Sequence, residues 1–195
     1  ALMVNDELPG LWPNATLCQS FLNMLGRRLY DSQTKVLQAT LEMVKIVSCD
    51  QKEAWDLGLE ILAPPLFQLA FSELARDDFK AEAQALIVSL AEVSAIKLFA
   101  CVKKVLETPD AKPKLNAVRS LALFITKMDT YFDKQVPRIQ KFIVMLTTKP
   151  NDIRASVNMT NAVTNVFALL YAMLGETSGA QLRTAKFIGQ DQVMK

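Results

Sequence analysis

Apolar residues along this chain recur mainly at spacings of three and four positions, the period of a helix that buries one face. Alternating runs of β-branched residues bounded by turn pairs are missing, so the strand signal is weak. The pattern therefore predicts an all-α protein. Capping residues and turns place helices at about residues 16–29, 33–48, 52–75, 77–93, 95–107, 113–127 and 137–147, then a long helix ending at Leu174 and a short segment after Gly179.

The prolines Pro64 and Pro65 interrupt the predicted helix over residues 52–75. Proline lacks an amide hydrogen and its ring clashes with the preceding turn, so we expect this pair to end or sharply kink the helix. The residues Thr108-Pro109-Asp110 predict a turn, and Lys149-Pro150-Asn151-Asp152 predict another.

Four of the predicted turns share one arrangement, in which a polar or acidic capping residue is followed by a basic residue near the start of the next helix. The basic members are Lys35, Lys80, Lys114 and Arg154, at intervals of 45, 34 and 40 residues. Intervals of about 40–47 residues with two helices each are typical of HEAT and armadillo arrays. We therefore expect an α-solenoid of about four to five HEAT-like helix pairs; the alternative is an irregular helical bundle.

Some of the predicted helices are apolar on more than one face. The second helix has one stripe made of Val36, Ala39, Met43 and Ile46 and another made of Leu37, Leu41, Val44 and Val47. A helix that lies between its partner and the neighbouring repeats needs such a wide apolar surface. No flexible linker interrupts the chain, so we expect residues 1–195 to form a single domain, as a fragment of a larger protein.

The chain contains no histidine, which excludes Ser-His-Asp and Cys-His nucleophile pairs and His-ligated zinc. Phosphate-binding glycine loops are also missing from the sequence. The adjacent acids Asp77 and Asp78 are interpreted as a helix start, because carboxylates there offset the helix dipole. We therefore expect a protein that is not an enzyme and needs no cofactor or metal.

Cys18, Cys49 and Cys101 lie far apart in apolar helical patterns, which favours buried thiols in a reducing compartment. The longest apolar run, residues 166–174, is half the length of a membrane span, and no leader is recognisable at the start. These features predict a cytoplasmic protein that does not bind a membrane.

Basic and acidic residues nearly balance at a formal charge of +2, which gives no indication of nucleic-acid binding. Their distribution is uneven, however, with a net charge of −4 over residues 1–109 and +6 over residues 110–195. Because turns on one side of a solenoid lie along one edge, the basic turn residues are expected to form a row that meets an acidic protein surface. The alternative for each residue is a solvated charge. The candidate binding residues are Tyr30, Lys35, Arg76, Lys80, Lys112, Lys114, Lys149, Asn151 and Arg154.

Four strings at the helix boundaries carry a family resemblance: Asp31-Ser32-Gln33-Thr34-Lys35-Val36, Leu62-Ala63-Pro64-Pro65-Leu66, Lys112-Pro113-Lys114-Leu115 and Lys149-Pro150-Asn151-Asp152-Ile153-Arg154. In their order and spacing they resemble the TOG (tumour-overexpressed-gene) domain, the HEAT-repeat tubulin-binding module of microtubule polymerases and CLASP-type rescue factors. The resemblance extends over about residues 14–176. It implies that the loops within helix pairs bind tubulin, with residues 30–35, 76–80, 109–114 and 148–154 as the second to fifth loops. The family's first loop, which typically presents a tryptophan, has no clear counterpart here.

The resulting expectation is a tubulin-binding or microtubule-binding module, located at the cytoskeleton, that contributes to the regulation of microtubule dynamics. The alternative is a HEAT-repeat scaffold for protein–protein interaction without tubulin affinity. Apolar residues near the end of the sequence support that alternative, since an incompletely capped terminal repeat favours self-association or another protein partner. These residues are Phe187, Ile188, Val193 and Met194.

Overall fold

The computed structural model describes residues 15–50, 55–128 and 157–175. These ranges contain six α-helices, one 3₁₀ helix and no strand, which confirms the all-α prediction for this part of the chain. The helices are α1 (Ala15–Arg28), α2 (Thr34–Asp50), α3 (Trp55–Ala70), α4 (Asp77–Glu107), α5 (Ala111–Phe124) and α6 (Val157–Leu174), with the 3₁₀ helix at Ile125–Met128. The predicted helix over residues 137–147, the turn at 149–152 and the segment after Gly179 lie outside the described residues.

The core consists of one apolar stripe from each helix. In α1 the buried stripe repeats every three or four residues and comprises Cys18, Leu22 and Leu25, with Leu29 just beyond the helix end. Of the two stripes predicted for α2, the one made of Leu37, Leu41, Val44 and Val47 is buried. In the other stripe Ala39 is exposed and the three larger residues are half-buried. In helix α2, therefore, one apolar stripe is fully buried and the other is only partly buried.

Contacts between helices reach beyond neighbours in the chain. Helix α1 packs against α2 and α3, and α2 packs against α4. Helix α3 packs against α4 and α5, while α6 packs against α5 and the 3₁₀ helix. Two exposed ion pairs also join separate elements, Lys104 with Glu60 at 2.7 Å and Lys127 with Glu92 at 3.1 Å. Helices α3 and α4 thus each contact several other elements in the described part of the chain.

The sequence predicts that Pro64 and Pro65 end or sharply kink the helix. Helix α3 continues through both prolines, so they do not end it. Each proline removes an amide donor, which leaves the carbonyl groups four residues earlier without their helical partner. One of these is the carbonyl of Ile61, whose oxygen lies 3.3 Å from the position that a Cβ on Gly26 would occupy. Glycine therefore lets α1 approach α3 closely at this point.

Helix α4 contains the boundary that the sequence predicts between residues 93 and 95. Ser94 has φ −158° and ψ 78°, which is a non-helical conformation between two helical segments.

By length and composition alone α4 could cross a membrane, since an 18-residue window has a mean hydropathy of 2.0. Half of that window is buried inside the protein, and the core helix of a folded protein meets the same criteria. The packing of α4 against α3 and α5 accounts for its apolar content.

Cys18 and Cys101 are free and buried, as predicted, whereas the side chain of Cys49 lies outside the described ones. The Cys101 thiol donates a weak hydrogen bond to the carbonyl oxygen of Leu59 at 3.6 Å. Burial, followed by the nearby Glu60 carboxylate, raises the pKa of Cys101 to about 11. Burial also raises the pKa of Cys18.

We expect Cys101 to resist alkylation in the folded protein. A pKa near 11 in place of about 9 leaves roughly a hundredfold less thiolate at pH 8. Site-resolved mass spectrometry after iodoacetamide treatment measures this directly. Labelling of Cys101 should require denaturant, and urea-unfolded protein provides the control for intrinsic reactivity. Rapid native labelling of Cys101 would contradict its burial.

Candidate partner-binding edge

The turn between α1 and α2 is held by its own hydrogen bonds. The amides of Tyr30 and Asp31 donate to carbonyl oxygens in the last turn of α1, at 3.2 and 3.0 Å. One carboxylate oxygen of Asp31 accepts the backbone amide of Gln33 at 2.9 Å, and the other pairs with Arg28 at 3.0 Å. The amide of Gln33 and then Arg28 lower the pKa of Asp31. This turn is therefore pre-organised, and Tyr30 stands on it with 64% of its surface exposed.

The turn between α3 and α4 has a second set of internal pairs. The guanidinium of Arg76 donates two hydrogen bonds to the Asp78 carboxylate, at 3.1 and 2.6 Å, and lies over the Phe79 ring at 5.1 Å from its centroid. Lys80 pairs with Asp77 at 3.0 Å. Asp77 and Asp78 occupy the first turn of α4, as predicted, and the residue before them, Arg76, makes no side-chain capping bond. Two of the predicted binding cations thus have acidic partners within their own turn.

These two turns lie side by side and line one groove of about 340 Å³. Its walls include Tyr30 and Asp31 from the first turn and Leu74 and Arg76 from the second. Residues separated by more than forty positions in the sequence therefore meet at one edge. The remaining lining residues are Leu29, Ser32, Thr34, Leu37, Gln68, Leu69, Ser72, Ala75 and Phe79.

The turn between α4 and α5 does not present both of its lysines to solvent, as the predicted row of basic residues requires. Lys112 is exposed, but Lys114 retains only 2% of its surface accessible. Lys114 lies three and four residues before the fully buried Ala117 and Val118, on the inward face of α5. The prediction that Lys114 belongs to an exposed row of cations is therefore corrected. Neither lysine lines the groove between the first two turns.

Six of the nine candidate residues fall within the described ranges. Lys35 and Lys112 are exposed, and neither forms an ion pair with another described residue. Arg76 and Lys80 are paired, Lys114 is buried and Tyr30 is exposed on the groove wall. Lys149, Asn151 and Arg154 lie outside the described residues. The described candidates are accordingly two exposed lysines without an ion pair, two cations paired within their own turn, one buried lysine and one exposed tyrosine.

Sequence reasoning overlooked the apolar component of this edge. Leu74 is 95% exposed within a short polar turn, and it lines the groove opposite Tyr30. In the sequence Leu74 continues the apolar spacing of the predicted helix over residues 52–75, and only the end of α3 at Ala70 places it in a turn. The sequence pattern indicates that Asp31 and Asp78 are capping residues. Their ion pairs with arginine depend on side-chain rotamers, which the sequence does not specify.

No group of three or more acidic or cysteine side chains within residues 15–50, 55–128 and 157–175 is arranged to hold a metal ion. The residues that line the groove offer ionic, hydrogen-bonding and apolar contacts. No family model and no curated protein sequence matches the chain. The resemblance to TOG domains accordingly rests on the turn strings and their spacing.

Proposed function

We propose that the chain is a non-enzymatic binding module of HEAT-like helix pairs, whose turn edge binds tubulin and contributes to the regulation of microtubule dynamics. The observation that carries this proposal is the adjacency of residues 29–34 and 72–79, two turns that the family resemblance assigns to one binding edge. Their internal hydrogen bonds support the assignment, because a pre-organised edge loses little conformational entropy on binding.

The packing order supports a solenoid arrangement. When one helix pair stacks on the next, first helices contact first helices and second helices contact second helices. The contacts of α1 with α3 and of α2 with α4 follow this order. The non-helical residue Ser94 then divides α4 between the second pair and a third pair that continues into α5.

Lys35, at the start of α2, and Lys112, at the start of α5, support an acidic partner, since each is exposed and unpaired within the described part of the chain. The charge of +6 over residues 110–195 adds to this preference. Exposed charges are screened beyond about 8–10 Å at physiological ionic strength, so binding should weaken as salt increases.

We expect Lys35→Glu to weaken tubulin binding by about threefold to tenfold at low salt, because reversal of a rim charge turns attraction into repulsion. Binding is measured by size-exclusion chromatography with αβ-tubulin and by cosedimentation with stabilised microtubules. Lys45→Glu is the matched control, since Lys45 is an exposed lysine on the same helix, about 15 Å further along its axis. Circular dichroism melts should be the same for both variants.

Equal losses in the two variants would contradict a role for the edge and indicate a net-charge effect. No binding by the wild-type chain in either assay would reject the tubulin proposal. That result would favour the alternative, a helical scaffold without tubulin affinity, for which the exposed apolar residues Leu74 and Tyr30 are the supporting observation.

A further inference from the structure

Leu74 is the most exposed large apolar side chain among the described residues, with 95% of its surface accessible. It lies in the turn after α3, whose backbone is held by hydrogen bonds. The Ser72 amide donates to the carbonyl oxygen of Leu69 at 3.2 Å, and the Leu74 amide donates to Oγ of Ser72 at 3.3 Å. A single exposed leucine is ordinary on a protein surface. Leu74, however, protrudes from an ordered turn at the wall of the groove.

The groove beside Leu74 can receive an apolar side chain. Its floor consists of buried apolar residues, and Tyr30 stands on the opposite wall with 64% of its surface exposed. A volume of about 340 Å³ lies at the lower end of the range for ligand pockets, which suits one side chain better than a whole helix. The same surface patch therefore carries an apolar protrusion and a cavity that accepts one. The residues of the floor are Leu29, Leu37, Leu69 and Phe79.

The two charged residues that line the groove have opposite signs and lie on different walls. Asp31, on the first wall, pairs with Arg28, and Arg76, on the second, pairs with Asp78. Arg76 uses Nε and Nη2 for that pair, so the hydrogens on its Nη1 are not bound to another described residue. The described lining has no net charge, so two such patches do not repel each other. A two-fold axis parallel to the groove would bring Asp31 of one copy opposite Arg76 of another.

We propose that this groove is a self-association site, through which two copies of the chain form a symmetric dimer. Each Leu74 packs against Tyr30 and the apolar floor of the other copy, and each Arg76 faces the other copy's Asp31. A second copy fits this patch because a two-fold interface requires one surface that is complementary to itself. The protruding leucine supplies the apolar contact, and the opposite charges of the two walls supply the ionic one.

The size of the patch predicts a weak dimer. Thirteen described residues line the groove, whereas a stable interface contains about 20–30 residues on each side. We therefore expect a dissociation constant of about 10–500 μM. The dimer covers residues 29–34 and 72–79, which the proposed function assigns to tubulin, so self-association should compete with tubulin binding. Formation of the dimer does not itself depend on the proposed function.

The test is sedimentation equilibrium of the full chain from about 5 μM to 1 mM, which brackets the expected dissociation constant. The average mass should rise from that of a monomer towards that of a dimer. Leu74→Ser should raise the dissociation constant by about a hundredfold, because a symmetric interface contains this leucine twice and each contributes about tenfold. Ile96→Ser is the matched control, since Ile96 is 55% exposed and does not line the groove.

A chain that stays monomeric over this range would overturn the inference. A dimer that forms equally well in the wild type and in Leu74→Ser would overturn it too. Circular dichroism melts of the two serine variants should match that of the wild type, because both substitutions alter exposed side chains.

Disulfide cross-linking tests the arrangement of the two copies. Leu74→Cys and Ser32→Cys introduce thiols on the second and first walls, which the two-fold axis brings together across the interface. A mixture of these variants under mild oxidation should give a cross-linked dimer with one copy of each. Ile96→Cys mixed with Ser32→Cys is the control and should give no more than the background from the native cysteines. Equal yields from both mixtures would contradict reciprocal packing through the groove.

Tubulin binding is measured separately, so the two proposals fail in different ways. A dimer that is sensitive to Leu74→Ser, without any tubulin binding, would retain the self-association site and reject tubulin as the partner. Tubulin binding by a chain that stays monomeric would retain the proposed function and reject the self-association site. Where both hold, excess tubulin should lower the cross-linking yield, and an unchanged yield would contradict a shared edge.

Discussion

Phe67→Ala should lower the free energy of unfolding by about 3–5 kcal/mol, the largest effect expected of a single substitution here. Phe67 is fully buried in α3, the helix that packs against α1, α4 and α5. Truncation removes the transfer free energy of the ring and leaves a cavity, which close-packed neighbours fill only in part.

Urea denaturation followed by circular dichroism measures this loss. Leu74→Ala is the matched control, because it truncates a large apolar side chain that is 95% exposed just beyond the end of α3. Its effect should stay within about 0.5 kcal/mol. A loss below about 1 kcal/mol for Phe67→Ala would be inconsistent with the complete burial of its ring.

Gly26→Val should cost about 1–3 kcal/mol through overpacking between α1 and α3. A Cβ at this position would lie 3.2 Å from Cγ2 of Ile61 and 3.3 Å from the Ile61 carbonyl oxygen. The side-chain methyl can rotate away, but the carbonyl belongs to the helix backbone and moves only with α3. Any substitution therefore pushes the two helices apart at the proline-containing turn.

The Gly26 prediction needs a control for the helix propensity of valine itself. Ser20→Val places the same β-branched residue on the exposed face of α1, where it should change the free energy of unfolding by no more than about 0.5 kcal/mol. Both variants are compared by thermal and urea denaturation. If Gly26→Val were as stable as the Ser20 variant, the close approach of α1 to α3 would not contribute to stability.

Several helix boundaries were predictable because their determinants are local. The turn after α1, the boundary at Ser94 and the turn at residues 108–110 occur where capping residues and apolar periodicity placed them. The passage of α3 through two prolines was not predictable. Helix α3 packs against α1, α4 and α5, and the residues that supply these contacts are distant in the sequence.

At the candidate edge, the sequence identified the turns but not the state of their side chains. Arg76 and Lys80 are basic residues near a helix start, as predicted. However, Arg76 forms an ion pair with Asp78, and Lys80 forms one with Asp77. Lys114 follows a turn like the others and is buried, because the inward face of α5 includes its position. The solenoid, tubulin binding and the roles of Lys149, Asn151 and Arg154 stay predictions.

The sequence by itself determined the helical class, most of the described helix boundaries and the positions of the turns, because backbone hydrogen bonding and apolar periodicity act over a few residues. Only the tertiary structure decided which turns meet, which cations remain available and where an apolar groove opens. Those properties follow from the contacts of α1 with α2 and α3 and from the contacts of α4 with α2 and α3, and side chains distant in the sequence supply them. The groove between Tyr30 and Leu74 exists because packing brings two separate turns to one edge.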